Sequence, residues 1–172
     1  MAAVTFESVD VVFGPEPKKA LELLDRGEDR DAIFQATGNL VAVHNASMAV
    51  DSGEICVLMG LSGSGKSSLL RCVNGLNKAS RGRVLVRDGG TDIDVVSCDA
   101  STLRRLRMNR ISMVFQQFAL MPWRTIRDNV AFGLEIRGMP KAEREKKVME
   151  KLALVRLDKW AHKYPHELSG GM

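Results

Sequence analysis

Gly60-Leu61-Ser62-Gly63-Ser64-Gly65-Lys66-Ser67 fits the pattern G-x-x-x-x-G-K-[ST] at every fixed position. Glycines at 60, 63 and 65 take away side chains that would keep a backbone from wrapping a polyanion, and they permit the positive φ angles that turn successive N–H groups inward. Lys66 is then placed to reach the β and γ phosphates of a nucleotide, and the Ser67 hydroxyl to coordinate Mg²⁺. The flanks agree. Ile55 to Met59 is a short apolar run of the kind a buried parallel strand shows, and from Ser67 to Leu76 the apolar residues Leu69, Leu70, Val73 and Leu76 recur at helical spacing. A helix starting at the loop aims its dipole and unpaired N–H groups at the phosphates, so Gly60, Leu61, Ser62, Gly63, Ser64, Gly65, Lys66, Ser67 and Ser68 are the expected phosphate-binding residues.

At 172 residues the chain is long enough to bury a core, and 45% apolar with 27% charged residues is a globular, not a disordered, composition. The net charge of +4 is mild. Arginines group at 104, 105, 107 and 110 and lysines at 141, 146, 147 and 151, which reads as solvated faces ahead of nucleic-acid contact. Cys56, Cys72 and Cys98 form no C-x-x-C pair, and the first two fall on the expected strand and helix, as small core residues in a reducing compartment. The first thirteen residues lack the basic start and apolar stretch of a signal peptide, and the apolar segment before the loop is too short to span a bilayer.

Around this centre, Val4 to Phe13 reads as a strand ended by Gly14-Pro15. Residues 16–38 read as two short helices, the second capped by Asp29 or Asp31 and closed by Gly38, forming a surface decoration in preference to a docking element. Leu40 to Val43 and Ala46 to Val50 are strand candidates, and Gly82 to Gly90 is a hairpin-like strand with Val84 and Val86 on one face. Asn77-Lys78-Ala79-Ser80 is not a guanine-reading Asn-Lys-x-Asp, because its fourth residue is serine and it follows the loop too closely. A basic helix runs from Ser101 to Met108, capped by Asp99 or Ser101, and Ile111 to Phe115 is another apolar strand. It delivers Gln116 and Gln117 into Phe118-Ala119-Leu120-Met121-Pro122-Trp123, a segment too apolar for an ordinary exposed loop. Thr125 with Asp128 starts a helix to about Arg137. A second helix runs from Lys141 to Val155 with Val148, Leu152 and Val155 inward and a Glu143–Lys147 pair outward.

The phosphate loop at 60–67, Val114-Phe115-Gln116 about fifty residues later, and Leu168-Ser169-Gly170-Gly171 about fifty after that resemble, in order and spacing, the ATPase subunit of ATP-binding cassette transporters. The similarity runs through nearly the whole chain. It looks closest to importers of quaternary amines such as glycine betaine, choline and proline betaine, on residues 57–67, 111–135 and 16–38; most transporter ATPases have only a short turn in place of the last.

The resemblance implies an α/β fold: a P-loop NTPase core sheet with an antiparallel β piece at the N-terminus and a helical subdomain over 117–172, the C-terminal part missing. It implies ATP and Mg²⁺ as cofactors, Lys66 and Gln116 as catalytic residues, and Ser67 and Gln116 as metal-binding ones. Ser169, Gly170 and Gly171 look like the signature loop that covers the γ-phosphate held by a second ATPase subunit in a head-to-tail dimer, and Phe13 looks like the aromatic that stacks on adenine. Residues 118–123 resemble the surface that receives the membrane subunit, with core packing as the alternative. Transmembrane permease subunits, indirectly a solute-binding protein, no nucleic acid, and a peripheral place on the cytoplasmic face of the bacterial inner membrane follow in the same way.

One departure stands out. No run of four apolar residues ends in Asp-Glu, and His44, His162 and His166 all precede the place of the family's switch histidine. The chain is therefore expected to be the first part of a longer protein, inactive in hydrolysis alone and poorly stable because Ile55 to Met59 lies partly uncovered. Two other readings stay open: a chain that binds ATP without turning it over, and another P-loop enzyme such as a small-molecule kinase.

Overall fold

A computed structural model describes residues 1–117 and 119–172, which form two compact units, Met1–Met113 and Val114–Met172. In the first unit four strands make one antiparallel sheet of order β2-β1-β3-β4, with β1 Ala2–Phe13, β2 Leu40–Asp51, β3 Arg81–Asp88 and β4 Thr91–Asp94. The helices are α1 (Pro17–Asp25), α2 (Arg30–Thr37), α3 (Lys66–Val73) and α4 (Ala100–Asn109). Phe6, Val9 and Val11 of β1 and Val84 of β3 are buried against Leu69 and Cys72 of α3. Each such valine withdraws enough apolar surface to contribute about 1.5–3 kcal/mol. One face of α3 is thereby fixed on the sheet, and the loop that begins the helix is fixed with it.

The pairing of β1 with β2 carries four register shifts, two of which matter most here. Between the pairs Phe6–Met48 and Val9–Ala46 β1 has two residues where β2 has one, and Ser8 takes φ 46°. The freed Ser8 N–H donates to Ser47 Oγ at 2.9 Å. The crossing strand accommodates this bulge only through Gly82, where a Cβ would lie 2.4 Å from the Ser8 carbonyl oxygen. Further along, Val9 pairs with Ala46 and Val11 with Val43, so Asp10 alone faces both His44 and Asn45, and Asn45 takes φ 47°. The two strands expected at Leu40–Val43 and Ala46–Val50 are thus one strand carrying a bulge.

The two helices expected over 16–38 are present. Asp29 caps α2 by accepting from the Ala32 N–H at 2.8 Å, and Gly38 closes it in the left-handed region. They do more than decorate the surface, because Ala20, Leu24 and Ile33 bury themselves on Val12 and Val41 at the ends of β1 and β2. At the other end of the unit Asp99 caps α4, and Asp88 accepts from Arg105 and Arg110, tying that helix to β3.

Several expectations are overturned. Ile55–Met59 and Ile111–Phe115 lie outside any strand, and Ile55, Val57 and Met59 are 90%, 70% and 88% exposed. A strand is made by neighbours that take up its N–H and C=O groups, and among the described residues neither segment has one. Cys56 lies exposed for the same reason, whereas Cys72 is buried as expected. Leu70 is also exposed, on the face of α3 opposite the buried Leu69 and Cys72, and so is Leu76, the helix having ended at Val73 before Asn74-Gly75. β4 was not foreseen.

The second unit packs α5 (Ile126–Ile136) on α6 (Lys141–Leu154) through Ile126, Val148, Leu152 and Ala161. Thr125 caps α5 by accepting from the Asp128 N–H, and the Glu143–Lys147 pair closes at 2.8 Å. Val155, expected inward, is exposed because α6 ends at Leu154 and the chain turns away through Arg156 at φ 59°.

Candidate phosphate-binding site

The loop from Gly60 to Gly65 leads directly into α3. Gly65 is the N-cap of that helix at φ 90°, and a Cβ there would lie 2.1 Å from the Ala42 carbonyl oxygen and 3.1 Å from a Val43 methyl. Only glycine lets the loop press its backbone onto β2 at this point. Gly63 at φ 80° turns the chain over the top of the loop. No side chain caps α3, so the first N–H groups of the helix remain open toward the loop, the arrangement that holds phosphate oxygens.

Lys66 folds back across this loop. Its ammonium donates to the Gly60 carbonyl at 2.8 Å, the Leu61 carbonyl at 2.6 Å and Ser64 Oγ at 3.2 Å. The lysine therefore stands over the concave side of the loop, where an anion would meet the positive charge together with the backbone donors. Ser67 and Ser68 occupy the first turn of α3, and Ser67 is exposed. An exposed hydroxyl on the first turn of the helix, beside a phosphate cradle, fits Mg²⁺, which takes oxygen ligands, keeps several waters and is held jointly by protein and phosphate oxygens.

Of the remaining sequence-derived candidates, Phe13 belongs to the first unit, and Gln116, Ser169, Gly170 and Gly171 to the second. Phe13 ends β1, half-exposed, and the loop after it is fastened by the buried Asn39, whose Oδ1 accepts from the Glu16 N–H at 3.0 Å. Gln116 is exposed in a bend near the start of the second unit. Ser169, Gly170 and Gly171 form an exposed turn closed by the Met172 N–H donating to the Ser169 carbonyl at 2.9 Å. In the segment 118–123, Phe118 lies outside the described residues. Leu120 and Trp123 are exposed, and Met121 is anchored at both its N–H and its carbonyl by the Asn129 amide. Core packing does not account for Leu120 or Trp123.

Sequence reasoning missed a polar cluster behind the loop. Buried Asp10 accepts from the Asn45 N–H at 2.7 Å, His44 Nδ1 at 2.9 Å and Arg81 Nε at 2.6 Å, and Arg81 continues to Asp25 of α1 at 2.7 Å. Burial pushes the Asp10 carboxyl up, but the hydrogen bonds from Asn45, Arg81 and His44 outweigh it and hold it below the usual carboxylate range. A lone aspartate inside the apolar run Val9-Asp10-Val11-Val12 was the available signal. Cys72 has no comparable role: burial pushes its thiol up to about 11, leaving it an inert core residue.

A glycine cradle on a helix N-terminus, with its lysine drawn over it, defines a P-loop protein of the α/β class. The profile of the family described as ABC transporter matches residues 43–172, three quarters of the sequence, and the chain belongs to that family. Among curated relatives, it is 45% identical over 161 residues to the glycine betaine/proline betaine transport system ATP-binding protein ProV of Salmonella typhimurium, covering 94% of this chain and 39% of the relative. It is 44% identical over 172 residues to the glycine betaine/carnitine transport ATP-binding protein GbuA of Listeria monocytogenes, covering 100% and 42%. The chain thus spans about two fifths of the length of these relatives. Among solved structures it matches the ATP-binding cassette MJ0796, in a dimer bound to ADP and Pi, with a TM-score of 0.74 at 29% identity, covering 98% of this chain and 64% of that one.

Proposed function

We propose that the chain is the phosphate-binding part of the ATP-binding subunit of an importer, in which ATP binding and hydrolysis drive uptake of a quaternary amine such as glycine betaine or choline. The observation that carries this reading is the Gly60–Ser67 cradle with Lys66 folded over it, in a chain alike along almost its entire length to subunits named for glycine betaine transport. Gly60 to Ser68 hold the phosphates, Lys66 neutralises their charge, and Phe13 stacks on the adenine. Ser67 would hold Mg²⁺, which would supply charge neutralisation on the phosphates, and Gln116 of the second unit is the further metal ligand that the family's pattern implies. Ser169, Gly170 and Gly171 complete the site of a second ATPase subunit, and the exposed Leu120 and Trp123 belong to the surface that meets a permease subunit. A solute-binding protein delivers the cargo. No helix among the described residues is long and apolar enough to cross a membrane, in keeping with a peripheral subunit at the cytoplasmic face.

Lys66→Ala should abolish ATP binding, measured with a fluorescent nucleotide. Ser169→Arg should leave binding by one subunit intact and block ATP-driven dimer closure, followed by light scattering; unchanged closure would sink the transporter reading. A second reading is favoured by the lack of an apolar run ending in Asp-Glu: this stretch alone binds ATP without turning it over. Phosphate release assayed beside ATP binding in one preparation separates the two.

A further inference from the structure

We infer that Asp10 and His44 are positioning residues for the phosphate loop, acting through the bulge of β2; this rests on the phosphate-loop reading above. The chain of contacts is short. Gly65, the residue from which α3 starts, presses on the Ala42 carbonyl and the Val43 side chain. His44 and Asn45 follow immediately, and they are the two residues that Asp10 alone opposes across the strand pair.

A bulge leaves backbone groups without ladder partners, and the left-handed Asn45 makes this one costly to hold. Asp10 answers both problems with one oxygen. Its Oδ1 accepts from the Asn45 N–H and from His44 Nδ1, while Oδ2 accepts from Arg81 Nε. The carboxylate is buried, so these bonds act in a medium of low dielectric, where each is stronger than in water. Removing a donor loosens the bulge, and the residues next along β2 are those that support Gly65. Because a cradle binds by the alignment of several N–H groups at once, a small displacement of Gly65 weakens all of them together. Arg81 extends the cluster to Asp25, so the end of α1 is tied through this arginine to the same carboxylate that holds the loop's support.

His44 provides the cleanest test, because it is half-exposed and its truncation leaves the buried core whole. His44→Ala removes one donor to Asp10; His44→Asn keeps an N–H donor at the position of Nδ1, the atom that makes the bond. In the ligand-free protein, hydrogen exchange of the 60–68 amides should quicken several-fold in His44→Ala and return to the wild-type rate in His44→Asn. The ATP dissociation constant should rise by about fivefold in His44→Ala and fall back to within about twofold of wild type in His44→Asn, the range expected for one charge-assisted hydrogen bond acting at a distance. Asp29→Ala, which uncaps α2 away from the loop, serves as a stability control and should leave both readouts unchanged.

Unchanged exchange and affinity in His44→Ala would overturn the inference, as would a His44→Asn protein no better than His44→Ala, or an Asp29→Ala protein as impaired as either. Failure of the underlying reading shows itself differently: Lys66→Ala would retain wild-type ATP affinity, while the exchange of the 60–68 amides would still report on the coupling of His44 to the loop.

Discussion

Two apolar runs a dozen residues apart have opposite fates. Val41-Ala42-Val43 lies in β2, hydrogen-bonded to β1 and buried; Ile55 to Met59 is at least as apolar, yet it is unpaired among the described residues and exposed. Composition does not separate them, and neither does β propensity. What separates them is a neighbour. The first run has β1 on one side and the helices α1 and α2 over Val41, whereas the second has no strand to take its backbone groups. Hydrophobicity states that a segment gains by burial; the sheet decides whether it is buried.

The contrast is broken most directly by placing the same charge in both runs. Val41→Asp should cost about 4 kcal/mol or more, enough to unfold the first unit in a thermal melt, because it buries an unpaired carboxylate. Val57→Asp should shift the melting temperature of this 172-residue chain by no more than a degree or two. Equal losses would mean that the two runs are equally buried in solution. In a longer chain that supplied neighbours to Ile55–Met59, the second substitution would become as damaging as the first.

A charge that is properly partnered sharpens the same point. Asp10 is buried among valines yet satisfied, and Asp10→Asn should cost roughly 3 kcal/mol at neutral pH by leaving Arg81 without its buried partner. The pH dependence has a definite sign. The folded carboxyl titrates below its unfolded value of about 3.9, so its contribution is complete above that pH and disappears as pH falls through the lower folded value. Urea melts from pH 7 down to pH 3 should show a steeper acid-side loss for the wild type than for Asp10→Asn, and parallel curves would refute the assignment.

Smaller effects belong to residues that need no tertiary neighbour. Asp29→Ala should cost about 1 kcal/mol through the lost cap of α2. Lys147→Ala should cost about 0.3 kcal/mol, because its partner Glu143 is half in water, and the difference should vanish at high salt.

Local chemistry was legible to this degree. The phosphate loop, the helix after it, the caps Asp29, Asp99 and Thr125 and the left-handed Gly38 all follow from residues within a few positions of one another. The errors arose where a residue's state is set from afar. Cys56 read as buried and Ile111–Phe115 as a strand because their runs are apolar, but burial and pairing needed partners that no local pattern reveals. β4 escaped notice because Thr91-Asp92-Ile93-Asp94 has one apolar residue and pairs only by hairpin geometry with β3. The polar cluster behind the loop joins residues 10, 25, 44 and 81, a separation across which sequence alone shows only that an aspartate interrupts a run of valines. For the candidate site, the cradle itself could be read directly, and the support beneath Gly65 could not.

The crossing at Ser8 and Gly82 carries a consequence for how this sequence can vary. A side chain at position 82 would strike the backbone carbonyls of Glu7 and Ser8, so position 82 is not free to drift while the strand keeps its bulge there. Lineages that replace Gly82 must also have regularised the strand at Ser8, by deleting one residue there or by shifting the pairing with Ser47. A single methyl group at position 82 thus acts as a record of whether the bulge was inherited or lost.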